Sequence, residues 1–105
     1  MEFIKKEHKK KLVKNIYNEL IFIGDADDYV ERSLAHFRII SDVLFLKRDP
    51  ETFFRIRKGW DKPEDEKKLA RVLSDIIDID DKKVRADAAA EFMFLLIAIG
   101  YIIDD

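Results

Sequence analysis

The chain has 105 residues, of which 48% are hydrophobic and 40% charged, with a formal net charge of −2 and no cysteine. This length suits one domain with one core, and the balance of apolar and charged residues excludes a disordered chain. The lack of cysteine excludes disulfides, thiolate metal sites and a cysteine nucleophile. With three glycines and two prolines, the chain favours long helices over loops. We expect one cytoplasmic all-α domain over residues 1–105, with no secretory signal and no apolar run long enough for a membrane span.

The first predicted helix spans about residues 3–23, because Leu12, Ile16 and Leu20 recur at helical spacing. Its first half carries a group of lysines: Lys5, Lys6, Lys9, Lys10, Lys11 and Lys14. Such a group is typical of an arm that contacts nucleic-acid phosphates, or of a solvated helix start that projects beyond the core or frays. The absence of arginine from this segment favours the solvated helix start, since arginine is the better phosphate ligand.

The second predicted helix, residues 27–47, has two apolar stripes on nearly opposite sides. We expect the first stripe to face the core: Val30, Leu34, Phe37, Ile40 and Leu44. The second stripe is then left for another chain: Ala35, Ile39, Val43 and Leu46. A helix with two apolar faces is either enclosed in a bundle or shared with a partner. The second stripe is therefore our predicted face for a homodimer.

The third predicted helix is short, residues 50–58, and Asp49 followed by Pro50 marks its start. We expect Phe53 and Ile56 to face the core. The remaining large side chains then form an exposed aromatic and basic surface: Phe54, Arg55, Arg57 and Lys58. Aromatic and arginine residues anchor protein interfaces and stack on bases, so this is the predicted binding surface.

The fourth predicted helix spans residues 63–78 and has a single apolar stripe. The fifth predicted helix spans residues 82–103 and ends in a run of uncharged residues. The run 92–103 is apolar on every side and must be covered on every side. We therefore expect a compact bundle of four main helices and one short helix, built around this C-terminal helix. Gly100 either caps this helix, with residues 101–103 packing as a tail, or lies inside it at a close crossing; we favour the second.

A weak internal repeat divides the chain into two helical hairpins. Residues 23–32 align with residues 76–85, and both segments contain an Asp-x-Asp-Asp turn before a helix. Carboxylates in such turns are typical ligands of Mg²⁺ or Ca²⁺, but the EF-hand glycine and glutamate are missing and helix capping explains the aspartates more simply. We predict no metal site and no cofactor.

Glu91 is the polar residue that stands out most, because a central fifth helix would bury it. A buried carboxylate needs a cation or hydrogen-bond donors, and Arg32 and His36 are candidate partners. Such a buried charge marks an active site in some proteins and fixes helix register in others; we favour the second role. No phosphate-binding loop, nucleophile elbow or zinc-protease pattern occurs.

The leading hypothesis is a small non-enzymatic interaction module whose surface around Phe54 binds a protein partner. Small helical regulators, inhibitors and immunity-type proteins, including phage, viral and archaeal ones, share this general character. The first alternative is nucleic-acid binding by the lysines of the first helix and the cations of the third, which requires both groups on one face. The second alternative is a small enzyme that uses Glu91 and His36, which requires a pocket around them.

Overall fold

The structure is a computed structural model and describes residues 4–103. These residues form five α-helices and no strand, which confirms the predicted all-α bundle of four longer helices and one short one. The helices are α1 (Lys6–Asp25), α2 (Tyr29–Lys47), α3 (Pro50–Arg55), α4 (Pro63–Ile77) and α5 (Lys82–Ala98). Within the described residues, no helix is long and apolar enough to cross a membrane.

Three of the helices begin at aspartates, as the sequence indicates. The carboxylates of Asp28, Asp49 and Asp81 each accept a hydrogen bond from the backbone N–H two or three residues further on, at 2.9 to 3.0 Å. Pro50 and Pro63 occupy the first positions of α3 and α4. A capping carboxylate satisfies an N–H that has no partner inside the helix, and proline has no N–H to satisfy there.

The predicted dimer face of α2 is wrong, because its residues form the core. Ala35, Ile39, Val43 and Leu46 are at most 2% exposed, whereas Val30 and Phe37, from the stripe assigned to the core, are 63% and 69% exposed. Both stripes have helical spacing, so spacing alone cannot choose between them. Arg32 makes the difference, because it lies on the inner side and its guanidinium bonds to buried carbonyls of neighbouring segments.

The predicted fifth helix is too long, since α5 ends at Ala98. Gly100 has a φ of +97°, and the N–H groups of Tyr101 and Ile102 turn back to the carbonyl of Leu96 at 3.0 and 3.3 Å. This is a glycine-dependent helix stop, which the left-handed conformation of Gly100 makes possible. It folds Tyr101 and Ile102 into the core.

Nor is the apolar run covered on every side, as the central-helix prediction required. Phe94 is 67% exposed, and Glu91 is exposed on the same outer side of α5. The buried side carries Ala89, Phe92 and Leu96. The bundle therefore packs against one face of α5, and α1 and α2 are buried along one face to a similar extent.

Two buried arginines make equivalent contacts in the two predicted hairpins. Nη1 of Arg32 donates to the carbonyls of Ala26 and Asp27, six and five residues before it, at 2.9 and 3.0 Å. Nη1 of Arg85 donates to the carbonyls at the same spacings, those of Ile79 and Asp80, at 2.7 and 3.2 Å. Each Nε reaches across to the other hairpin, from Arg32 to Ile77 at 2.9 Å and from Arg85 to Ile23 at 2.8 Å. Arg32 and Arg85 are matched residues of the sequence repeat, so the segments that align in sequence also form equivalent contacts.

Candidate interaction surfaces

The first candidate surface is the outer side of α3. Phe54 is 86% exposed, and its ring meets the edge of Phe53 at a centroid distance of 6.4 Å. Arg57 and Lys58 are exposed beside it along the chain. A six-residue helix can bury only one side, and α3 buries the side of Thr52. Phe54 lies nearly opposite Thr52 on the helix and is left in solvent, as predicted.

The backbone beneath this surface is held by the turn that ends α5. Arg55 Nε donates to the carbonyl of Gly100 at 3.0 Å, and the N–H of Arg57 donates to the carbonyl of Ile99 at 2.9 Å. Arg55 is therefore half-buried and tied to the fold, which corrects its predicted place among the freely exposed cations. We call Phe54, Arg57 and Lys58 the α3 patch.

The second candidate surface is a groove between α1 and α5, which the sequence did not indicate. Its first part has a volume of about 730 Å³ and lies beside the C-terminal turn. The apolar lining there includes Val13, Met93, Ile97 and Ile103. The polar lining is mainly cationic: Lys6, Lys9, Lys10, Lys14 and Arg55, with Glu51 as its acidic member.

The groove continues along the same two helices towards the other end of α1. This second part measures about 830 Å³ and shares Tyr17 and Met93 with the first. Ile21, Ala86 and Ala90 line it further along, and Lys82, Lys83 and Asp25 lie at its far end. We call the two parts together the α1–α5 groove.

Asp49 fixes the basic end of this groove. Its buried carboxylate accepts hydrogen bonds from the N–H of Ile4 at 2.8 Å and of Thr52 at 3.0 Å, and forms an ion pair with Lys9 at 2.8 Å. Burial alone would raise the pKa of Asp49, but the bonds from Lys9, Ile4 and Thr52 outweigh it and lower the pKa to about 2. The hydrogen bond to Asp49 in turn raises the pKa of Lys9. These contacts hold the start of α1, so the alternative of a frayed first turn is wrong.

The lysines of α1 have separate roles in the structure. Lys9 is paired with Asp49 and with Glu51. Lys6, Lys10 and Lys14 line the groove and form no ion pair with any residue of 4–103. Lys5 and Lys11 are exposed and do not line it. Nucleic-acid binding requires cations of the first and third helices on one face. Arg55 lines the groove together with the α1 lysines, whereas Arg57 and Lys58 do not line it.

The residues of the predicted buried charge are not brought together. Glu91 is exposed, which corrects the expectation that α5 would bury it. His36 Nε2 lies 2.9 Å from the carbonyl oxygen of Ala70, and the buried Arg32 bonds to backbone carbonyls. Neither Glu91 nor His36 lines the α1–α5 groove. Within residues 4–103, no group of three or more histidine or acidic side chains is placed to hold a metal ion.

Sequence reasoning missed Tyr17 and Ile21, although a signal was present. Both are more than half exposed, and they follow Lys10 and Lys14 at spacings of three and four residues, which places all four on one side of α1. Comparison of the chain with protein-family models, curated proteins and solved structures finds no match.

Proposed function

We propose that this protein is a non-enzymatic interaction module that binds a protein partner through the α3 patch. The observation that carries the proposal is that Phe54 is 86% exposed although its backbone is held in place. Hydrogen bonds from Arg55 and Arg57 attach this part of the chain to the end of α5. A large aromatic side chain on a fixed backbone loses little conformational freedom on binding. Aromatic and arginine residues are also the side chains that most often dominate binding energy.

The enzyme alternative lacks comparable support, because Glu91 is exposed and His36 bonds to a backbone carbonyl. Nucleic-acid binding is the second candidate, and the observation in its favour is that Arg55 lines the same groove as Lys10 and Lys14. The apolar floor of that groove weighs against it, since nucleic-acid grooves combine cations with aromatic platforms for bases.

The test is cross-linking capture from the native host, with a photoreactive group at Lys58 in three versions of the chain: unchanged, Phe54→Ala and Phe94→Ala. Phe94 is the matched control, an exposed phenylalanine on another helix. We expect one partner to be captured by the unchanged chain and by Phe94→Ala, and its affinity to fall about tenfold or more in Phe54→Ala.

Two results would contradict the proposal. One is the same set of captured proteins from all three versions. The other is tight binding of a labelled oligonucleotide that weakens with salt and is lost in Lys10→Glu/Lys14→Glu, because that outcome supports the second candidate.

A further inference from the structure

We infer that the α1–α5 groove is a second, separate docking site, and that its occupant is an acidic amphipathic helix of a partner protein. The inference does not depend on the α3 patch. It follows from the shape of the groove, from its apolar lining and from the sign of its charges.

The apolar lining matches the face of a helix. Tyr17 and Ile21 are four residues apart on α1, and Met93 and Ile97 are four residues apart on α5. Two packed helices with such rows leave a channel between them that accepts the ridge of a third helix. Recognition of an amphipathic helix by an apolar groove works in this way, through anchors at helical spacing.

The length and depth of the groove also fit a helix. It follows α1, whose 20 residues correspond to about 30 Å, or between five and six turns. At the far end, α1 and α5 are in close contact, since a Cβ on Gly24 would lie 2.9 Å from the Cα of Ala86. Ala86 and Ala90 present little side chain there, so the backbone of a docked helix can approach closely.

The charges select an acidic occupant. Seven cationic and two acidic side chains line the groove, on a chain whose net charge is −2. Lys10 and Lys14 lie at one end without an ion-pair partner among the described residues, whereas Lys82 at the other end pairs with Asp25 and Asp27 at 3.4 and 3.7 Å. A second copy seated with like ends together would oppose Lys10 and Lys14 to themselves, and like charges across an interface disfavour a pairing. In the opposite direction these lysines would meet an end whose aspartates are already paired with Lys82. Glutamates and aspartates beside an apolar stripe would instead meet these lysines.

The internal repeat provides a control within the molecule. By the offset that relates Arg32 to Arg85, Tyr17 corresponds to Ala70 of α4 and Ile21 to Ser74. The same structural position is therefore occupied by small or polar side chains in the other hairpin. The fold therefore does not require large exposed apolar residues at this position, which is consistent with a binding role for Tyr17 and Ile21.

The experiment is a selection from a displayed library of helical peptides of about 18 residues, long enough to fill most of the groove. The randomised positions allow Leu, Phe, Glu, Lys and Gln, and the full chain is the bait. We expect enrichment of peptides with apolar residues at helical spacing, flanked by glutamate. The best peptide should shift the amide resonances of Tyr17, Ile21, Ala90 and Met93 in the unaltered protein.

Two charge-reversed variants separate the groove from charge in general. Lys10→Glu/Lys14→Glu should weaken the peptide about tenfold or more. The control Lys67→Glu/Arg71→Glu makes the same change on exposed positions of α4, where Lys67 is the counterpart of Lys14 in the repeat, and should leave affinity unchanged. Phe54→Ala should also leave it unchanged, because the two surfaces are separate.

Several outcomes would overturn the inference. The first is that the selection yields lysine-rich peptides or no peptide. The second is that the resonance shifts are confined to the outer side of α2 around Leu34 and Phe37. The third is that the α4 control variant weakens peptide affinity as much as Lys10→Glu/Lys14→Glu does. Displacement of the peptide by a single-stranded oligonucleotide would assign the groove to nucleic acid instead. The resonance shifts are measured on the unaltered chain, so the inference can fail even if a variant does not fold.

Discussion

Replacement of Arg85 by methionine is the most demanding test of how this bundle is held together. Arg85 is 1% exposed, and its guanidinium donates to five backbone carbonyls: Ile23 at 2.8 Å, Gly24 at 3.4 Å, Ala26 at 2.8 Å, Ile79 at 2.7 Å and Asp80 at 3.2 Å. No acidic side chain of the described residues pairs with it. Its charge is balanced instead by the C-terminal ends of α1 and α4, where the helix dipoles are negative.

The expected loss follows from the carbonyls that would remain. Methionine fills a similar volume but donates nothing, and each buried carbonyl left without a donor costs about 1–3 kcal/mol. The buried carbonyls of Ile23 and Gly24 would lose the Arg85 donor, whereas that of Ala26 would keep Arg32. The carbonyls of Ile79 and Asp80 are only partly buried and can be hydrated. We therefore expect Arg85→Met to lower the free energy of unfolding by about 2–5 kcal/mol. Arg85→Lys should cost roughly half as much, since an ammonium reaches fewer carbonyls.

Arg32 and Arg85 should also be coupled, because both donate to the carbonyl of Ala26, at 2.9 and 2.8 Å. Each single replacement leaves that carbonyl one donor and removes the repulsion between the two cations. The double replacement leaves no donor and gains no further relief from repulsion. Arg32→Met/Arg85→Met should therefore cost about 1 kcal/mol more than the sum of the single variants.

The assay is urea unfolding followed by far-ultraviolet circular dichroism, with Arg71→Met as the control. Arg71 is an exposed arginine of α4, and its replacement should change the free energy of unfolding by no more than about 0.5 kcal/mol. The reasoning would be refuted if Arg85→Met cost no more than Arg71→Met. It would also be refuted if the double variant were additive.

Two further predictions concern Gly100 and Asp49. Gly100→Ala should lower the free energy of unfolding by about 2–4 kcal/mol for two reasons. The new Cβ would collide with the carbonyl of Arg55, and alanine would have to adopt the left-handed φ of this position. Gly59→Ala, also at positive φ but in open space, should lose only about 1–2 kcal/mol, and equal losses would show that the collision is relieved. The pKa of Asp49 is about 2 in the folded protein against an ordinary 3.8, so its stabilisation, about 2 kcal/mol, is present above pH 4 and lost as the pH falls through 2. Unfolding at pH 5 and pH 2 should show a larger loss for the unaltered chain than for Asp49→Asn, and equal losses would exclude this role for Asp49.

The sequence predicted features that depend on near neighbours and failed where distant contacts decide. The helix starts at Asp28, Asp49 and Asp81 were predictable, because an N-cap is a local arrangement of a carboxylate and a following N–H. The choice between the two stripes of α2 was not, because both have the right period. It depends on what Arg32 meets in the other hairpin, at Ile77.

The end of α5 illustrates the same limit. Gly100 is compatible both with a close helix crossing and with a helix stop, and local conformational preferences do not distinguish the two. The stop is favoured by distant partners, since the turn presents the carbonyl of Gly100 to Arg55 and that of Ile99 to the N–H of Arg57. Glu91 was misplaced for a related reason, because a helix that is apolar on several sides does not reveal which side is covered.

The candidate surfaces were predictable to different degrees. Phe54 was recognisable because a short helix that begins at Pro50 buries one side only. The α1–α5 groove was not, although Tyr17 and Ile21 share the side of the lysines, because its second wall comes from a helix more than sixty residues further along the chain. Only the tertiary pairing of α1 with α5 places Met93 beside Tyr17.

The structure fixes both ends of the α1–α5 groove with contacts that do not involve the side chains of Lys10 and Lys14. At one end, Arg85 ties α5 to the carbonyls at the end of α1. At the other end, Asp49 holds the start of α1 through Ile4 and Lys9. Because Lys10 takes part in neither set of contacts, reversal of its charge should alter binding without loosening the walls of the groove. A groove fixed in advance loses little conformational entropy on docking, which would favour the proposed binding of a helix.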